Sequence, residues 1–424
     1  MKKVLIIVYY WPPSGGAGVQ RWLKFTKYLP EFGWKPIIYT PDNPDFSLKD
    51  ESLLKEVHPE VEVIKKPIWE PYGLYRRLFS KKDDKELSTG IKDQKSQGGK
   101  LANWIRGNLF IPDPKVYWCK PSVKFLTQYL DKNPVDAIIS SGTPHSMHLI
   151  ALDLKRKFNL PWIADFRDPW TELDILKDYQ ILPSRMKKYR AYEKEVLVSA
   201  DLALTTSKVW AEDFKRLGAR KAECITNGFD ETDFDMKVDP YNEWVMSHFG
   251  LLNHLRNPEH LWTAIEELLS EREDFAEKFR LHLGGTIDKD LLQKLQQFPL
   301  LSRRLKVFPY LSHEEVIKEY LKSRVLLLLL FNSESGKGNI PGKLFEYLAS
   351  NKPILAFGPE EGDSSDIVTN SKGVFLKYAN DNKETIKKSL LGTFRDDMAD
   401  HSSAKEFSRE QLTKKLATLL EELV

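Results

Sequence analysis

The chain has 424 residues, 41% apolar and 29% charged, with 64 basic against 61 acidic side chains for a formal net charge of +3. That length exceeds what one small core organises and points to two domains; the composition excludes wholesale disorder, and the near-neutral balance excludes a dedicated nucleic-acid-binding protein. Two cysteines, Cys119 and Cys224, are too few for a disulfide framework or a four-thiolate zinc site, so a reducing, cytoplasmic compartment is expected.

Lys2-Lys3 ahead of the apolar run 4–8 imitates the start of a signal peptide, but the run stops at Trp11-Pro12-Pro13-Ser14-Gly15-Gly16 with no small-residue cleavage pattern. It reads as a first β-strand, followed by a glycine loop and a helix over 19–29 with Val19, Trp22, Leu23, Phe25 and Leu29 at helical spacing. Further strands are predicted at 37–40, 61–64, 135–140, 162–166, 202–205 and 223–226, with a helix from about 145 to 157. After a polar stretch, 230–242, strands follow at 245–249, 279–283, 305–309, 325–331, 353–357 and 373–376, alternating with helices such as 258–269. The segment 408–423 is an amphipathic helix with Leu412, Leu416, Leu419 and Leu420 on one face. This alternation implies an α/β fold of two parallel sheets, each covered by helices on both faces. The leucine run 326–330 is far short of the ~20 residues a membrane-spanning helix needs.

One stretch interrupts the pattern. Between Leu74 and Arg106 nine basic residues face four acidic ones, flanked by Trp69, Tyr72, Tyr75, Phe79, Trp104, Phe110, Tyr117 and Trp118. A solvated loop is favoured for its centre, 81–100; the other reading is a peripheral membrane contact through 66–120, since basic and aromatic side chains together suit a headgroup layer.

Two glycine loops precede helices. In Pro12-Pro13-Ser14-Gly15-Gly16-Ala17-Gly18 the glycines Gly15, Gly16 and Gly18 let backbone amides approach an anion at a helix start. The loop is not a dinucleotide fingerprint, because Arg21 stands where a third glycine is required. Gly338-Asn339-Ile340-Pro341-Gly342-Lys343-Leu344 is one residue too short between its glycines for a P-loop and lacks the Ser or Thr after the lysine, which disfavours ATP hydrolysis. Lys343 remains a partner for a diphosphate, and Glu346 can accept hydrogen bonds from a ribose diol. In the first half, His145 opens a helix after a strand, and Asp165, Arg167 and Asp168 follow the next strand at the same sheet edge. A carboxylate there can orient or deprotonate an acceptor hydroxyl, Asp165 being the better candidate, while Arg167 either holds an acceptor phosphate or fixes the carboxylates. Asp233-Phe234-Asp235 reads as a capped turn, and His145 with His148 lacks a third metal ligand.

Together Ser14-Gly15-Gly16-Ala17-Gly18, Ala164-Asp165-Phe166-Arg167-Asp168-Pro169-Trp170, Thr226-Asn227-Gly228-Phe229-Asp230, Lys343-Leu344-Phe345-Glu346-Tyr347-Leu348-Ala349 and Lys352-Pro353-Ile354-Leu355-Ala356 resemble, in order and spacing, the GT-B glycosyltransferases of glycosyltransferase family 4, of the bacterial surface-polysaccharide type. The resemblance implies two Rossmann-like doubly wound domains facing a central cleft: 1–235 on the acceptor side, 236–405 binding the nucleotide sugar, and a helix at 406–424 returning to the first. It implies a retaining, metal-independent hexosyltransferase that uses no cofactor beyond a UDP- or GDP-sugar co-substrate. Its acceptor would be a glycan or a lipid-linked molecule, with the protein cytoplasmic or peripheral on the inner face of the membrane, and no nucleic acid bound. It gives Glu346 the ribose hydroxyls, puts His145 near donor sugar and acceptor hydroxyl, and sets Arg256 with Lys343 on the diphosphate. Leu251 stands where the family has an arginine, and Gly338 where it has a glutamate that meets the donor sugar. Those departures keep two alternatives open, a nucleotide-sugar epimerase on the same scaffold and a non-catalytic sugar-nucleotide-binding scaffold.

Overall fold

A computed structural model describes residues 1–46, 48–70, 97–173, 175–332, 337–359, 362–379, 382–395 and 402–424. Most of the basic insertion, 71–96, therefore lies outside the described residues. The chain forms two compact units, Met1–Thr226 with Leu412–Val424, and Asn227–Gln411.

Unit 1 is built on seven parallel strands: β1 (Lys2–Ile7), β2 (Trp34–Pro41), β3 (Glu62–Lys66), β4 (Ala137–Gly142), β5 (Trp162–Phe166), β6 (Leu202–Thr205) and β7 (Ala222–Cys224), in the order β3-β2-β1-β4-β5-β6-β7. Alternation along β1 divides its side chains between two cores. Leu5 and Ile7 pack with the helices Cys119–Leu130, Ser146–Phe158 and Pro183–Ser199. Val4 and Ile6 pack with Val19, Trp22 and Phe25 of the helix Ala17–Tyr28 and with Leu412, Leu416, Leu419 and Leu420 of the helix Arg409–Glu421. Burial on both faces is why these strands read as continuous apolar runs.

Unit 2 has six parallel strands: β8 (Trp244–Phe249), β9 (Phe279–Gly284), β10 (Leu305–Val307), β11 (Val325–Leu329), β12 (Ile354–Gly358) and β13 (Val374–Lys377), in the order β10-β9-β8-β11-β12-β13. Its two faces are covered by the helix Glu259–Glu271 and by the helices His313–Lys322 and Gly342–Ala349. Two strands stop earlier than their apolar runs. β10 is an edge strand that ends at Val307, two residues before Pro309, which has no N–H to donate, and β11 ends at Leu329 although the apolar run continues to Phe331.

The division between units falls at Thr226/Asn227, ahead of residue 235, because Phe229 packs with Leu326, Leu328 and Phe345 of unit 2. Its backbone also donates to Phe407 O (3.2 Å) and accepts from Arg409 N (2.8 Å). The return to unit 1 falls at Gln411/Leu412, where the Leu412 side chain enters the first core. Leu416 is 0% exposed there, so Leu416→Ala is expected to cost about 2–5 kcal/mol through lost transfer energy and a residual cavity. Urea unfolding followed by tryptophan fluorescence measures this, and an unchanged midpoint would mean the helix contributes nothing to that core.

Candidate functional site

In a doubly wound sheet ligands collect at the carboxyl ends of the strands, where the strand order reverses. In unit 2 the reversal lies between β8 and β11. After β8 the chain turns at Gly250 (φ +155°), where a Cβ would stand 2.0 Å from Lys343 Nζ. Lys343 sits in the first turn of the helix Gly342–Ala349, whose Leu344, Phe345, Tyr347 and Leu348 are buried, leaving Lys343 and Glu346 one turn apart on the other face. Lys343 Nζ donates to Phe249 O at 3.0 Å. Arg256 comes from the short turn His254–Arg256, which Asn253 caps by accepting from Leu255 N. Its guanidinium lies over the Phe331 ring, 3.8 Å from the centroid, and its Nε is buried without a hydrogen bond.

Neither cation has a carboxylate ion-pair partner among the described residues. Burial, reinforced by the positive charge of Arg256, pulls the Lys343 ammonium down to about 7, and burial lowers Arg256 as well. Two adjacent cations that both lose hydration and repel one another form a site electrostatically incomplete without an anion. His248, fully buried beside them with Nδ1 2.9 Å from Leu327 O, is held neutral first by burial and then by the Lys343 charge. Glu346 is reached by His313 Nε2 at 3.0 Å and stays partly exposed. The contacts of His313 with Glu346 and of Phe331 with Arg256 have no sequence signature, since both come from segments that no motif marks.

In unit 1 the reversal lies between β1 and β4. Here the structure changes several expectations. Asp165 is 0% exposed and its carboxylate is fully engaged: Arg21 donates through Nη2 (2.9 Å) and Nε (3.2 Å), Trp22 Nε1 at 2.9 Å and Ser141 Oγ at 2.9 Å. It is an internal counter-ion with no path to an acceptor, not a general base. Arg167 is likewise committed, donating to Gly142 O (3.1 Å), Gly18 O (2.5 Å) and Thr143 O, so it ties the first glycine loop to the end of β4 and holds neither carboxylate nor phosphate. Gly15 donates its amide to Leu48 O at 3.0 Å, and a Cβ there would meet Leu48 Cγ at 2.9 Å; its role is close packing of the loop. Gly16, at φ +82°, and Gly18 open the helix Ala17–Tyr28, whose first-turn amides have no intrahelical acceptors.

His145 lies flat on Trp170, with ring centroids 4.5 Å apart, and both its nitrogens are buried without a partner. Burial, then the neighbouring His148 and Arg167, keeps it neutral, so it can offer a ligand one donor and one acceptor but not a charge. His148 Nδ1 is 2.8 Å from Ser140 Oγ. Asp168, partly exposed, accepts from Thr143 Oγ1 at 3.2 Å and is the carboxylate left open at this edge. A network unseen in the sequence supports this edge. Asp113 accepts from Ser146 N (2.9 Å), Ser146 Oγ (2.8 Å) and Lys115 N (2.9 Å), and Lys115 pairs with Glu70, which also accepts from Tyr9 Oη (2.9 Å). Asp113-Pro114 was the available signal, an N-cap before proline at the first helical position.

No family model matches the sequence, and no curated protein matches it. Solved structures do match over the whole chain. Sucrose-phosphate synthase from Thermosynechococcus elongatus superposes with TM-score 0.63 at 15% identity, covering 100% of this chain and 99% of that one. The lipopolysaccharide outer core galactosyltransferase WaaB, in its apo form, gives 0.60 at 13% identity, covering 100% of both. TarM of S. aureus, in complex with fondaparinux, α-GlcNAc-glycerol and UDP, gives 0.60 at 14% identity, covering 99% of this chain and 100% of that one. With these neighbours and two parallel sheets of seven and six strands, the chain has the GT-B fold of two Rossmann-like units.

Proposed function

We propose that the protein is a glycosyltransferase that moves a hexose from a UDP- or GDP-sugar to a hydroxyl of a glycan or lipid-linked acceptor, with retention and without a metal, in the assembly of a cell-surface polysaccharide. One observation carries the reading: Arg256 and Lys343 stand together without a counter-ion at the carboxyl end of the unit 2 sheet, with Glu346 one turn beyond Lys343. That arrangement suits a nucleoside diphosphate, whose phosphates need cations and whose ribose needs a hydroxyl acceptor. The likeness to a galactosyltransferase and to a UDP-bound TarM supports it.

In this reading the bond from the anomeric carbon to the diphosphate oxygen breaks while the acceptor oxygen bonds to the same carbon, and the acceptor proton passes to the departing diphosphate. Arg256, Lys343 and the amides opening the helix Gly342–Ala349 stabilise the negative charge that develops on the leaving group. Neutral His145 and Asp168 belong to the acceptor side. With Asp165 locked to Arg21, proton acceptance by the leaving group is the route this chain offers without a dedicated base. The same scarcity of free acid–base groups disfavours epimerisation.

Peripheral membrane contact belongs to the same proposal. Trp69 (60% exposed) and Tyr117 (51%) meet edge to face at 5.2 Å, beside a pocket of about 220 Å³ lined by Leu109, Tyr117, Arg185, Lys188 and Tyr192. Exposed aromatics with cations suit anionic headgroups. No helix among the described residues is long and apolar enough to cross a membrane.

The protein incubated with UDP- and GDP-hexoses and free or lipid-linked glycans is expected to release nucleoside diphosphate only when an acceptor is present. Glu346→Ala is expected to reduce that release at least tenfold. An isomerised donor formed without acceptor would select the epimerase, and donor binding without any transfer would leave the scaffold reading.

A further inference from the structure

A second cationic cluster lies at the opposite end of the unit 2 sheet. Tyr241, Glu243 and Val245 at the start of β8, Arg280 and His282 at the start of β9, and Arg303, Arg304 and Lys306 around the start of β10 line a pocket of about 300 Å³. The register explains the grouping. Val245 pairs with Arg280 and Lys306 with His282, so the side chains at 280 and 282 share one face while Leu281 and Leu283 are buried on the other. All strands are parallel, so this is the amino end of β8 and β9, whereas Gly284 at the other end of β9 accepts the Gly250 amide (2.9 Å) beside Lys343.

Four cations here oppose one lining carboxylate, Glu243, and none of the four forms an ion pair among the described residues. Edge strands often carry solvated lysines and arginines, which would account for Lys306 alone. Two arginines are held in place rather than loose: Arg280 Nη1 donates to Glu277 O (3.0 Å) and Phe279 O (2.7 Å), and Arg304 donates to Ala276 O (2.7 Å) and Leu300 O (3.0 Å). Those bonds engage part of each guanidinium and leave other N–H groups to donate. The nearby Glu319 is already engaged by Tyr241 Oη (2.7 Å) and Lys322 Nζ (3.2 Å). His282, 6% exposed, keeps a buried Nδ1 with no hydrogen bond.

Anchored guanidiniums, an unpaired lysine and a histidine around a cavity of small-molecule size match a compact anion of two or more charges. We propose that this pocket is a second anion site, taking a small molecule that carries a phosphate or diphosphate group, separate from the end of the sheet that holds Arg256 and Lys343. Its occupant is independent of the sugar donor, so it stands whether or not the transferase reading does.

Inorganic pyrophosphate is the probe, titrated calorimetrically into the full-length protein. Lys343→Met is expected to retain one binding event. R303E/K306E, both exposed and outside the core, is expected to weaken that event at least tenfold with unchanged circular dichroism; R303Q/K306Q is a milder version should the charge reversal disturb folding. If wild type shows one event that R303E/K306E removes and Lys343→Met leaves, the donor reading fails and this one holds. No binding to wild type, none left in Lys343→Met, or binding to Lys343→Met that neither double variant weakens would overturn it.

Discussion

Asp165→Asn is expected to destabilise unit 1 by about 3–5 kcal/mol, a large part of the roughly 5–15 kcal/mol that holds a domain folded. The pair is wholly interior, with Arg21 1% and Asp165 0% exposed. Arg21 also donates to Ile225 O (2.9 Å) and Thr226 O (3.0 Å), so one guanidinium joins the helix Ala17–Tyr28 to β5 and to the residues after β7. An asparagine presents an N–H₂ to Arg21 and leaves its charge uncompensated in a medium that solvates it poorly. The measurement is the urea midpoint of the variant, with R21M/D165L beside it. The double replacement removes both charges and should cost less than the single one. A variant as stable as wild type but without transfer activity would restore Asp165 as a base and sink the counter-ion assignment.

Lys343→Met should act in the opposite sense on stability and severely on binding. Removing one charge-assisted contact to a phosphate is expected to weaken UDP or GDP binding by roughly 10–100-fold, in line with about 1.5–3 kcal/mol for a hydrogen bond to a charged group. The free protein should become more stable, because an unpaired cation and its repulsion with Arg256 disappear. The pH dependence follows from the sign of the shift. Only the protonated amine attracts a diphosphate, and in the free protein Lys343 loses its proton at about 7 instead of 10.5. Affinity should therefore be full below pH 7 and fall above it, by up to about tenfold per unit, until the higher pKa of the complex is reached. Stability of the free protein runs the other way: the unfolded chain binds the extra proton between about 7 and 10.5, so stability rises with pH across that window. Titrations of wild type and Lys343→Met from pH 6 to 9 separate the lysine from other groups; equal slopes would exclude it.

The sheets were legible because their strands are buried on both faces and so appear as short apolar runs, and β5 and β6 match their predicted limits residue for residue. Ends were less legible where one neighbour decides them, as at β10. Lys343 and Glu346 were found because helical spacing alone puts them on one face. Asp165 was misjudged because its partner Arg21 lies 144 residues earlier in the chain, and a carboxylate at a strand end looks the same in sequence whether it faces a ligand or a guanidinium. Arg167 was missed as a tie between loops for a related reason, since all its acceptors are main-chain carbonyls, which carry no residue signature. The anion pocket at the other end of β9 was invisible in the same way, being assembled from three strand starts with no shared motif.

The helix Arg409–Glu421 has a consequence for how the protein is made. Unit 2 is continuous in the chain, but unit 1 needs residues 412–424, which leave the ribosome only after all of unit 2. At about 5–20 residues per second that delay is on the order of ten seconds or more. Throughout it, the surface that Leu412, Leu416 and Leu420 will cover lacks its lid, so the half synthesised first matures last and is the natural client of a chaperone.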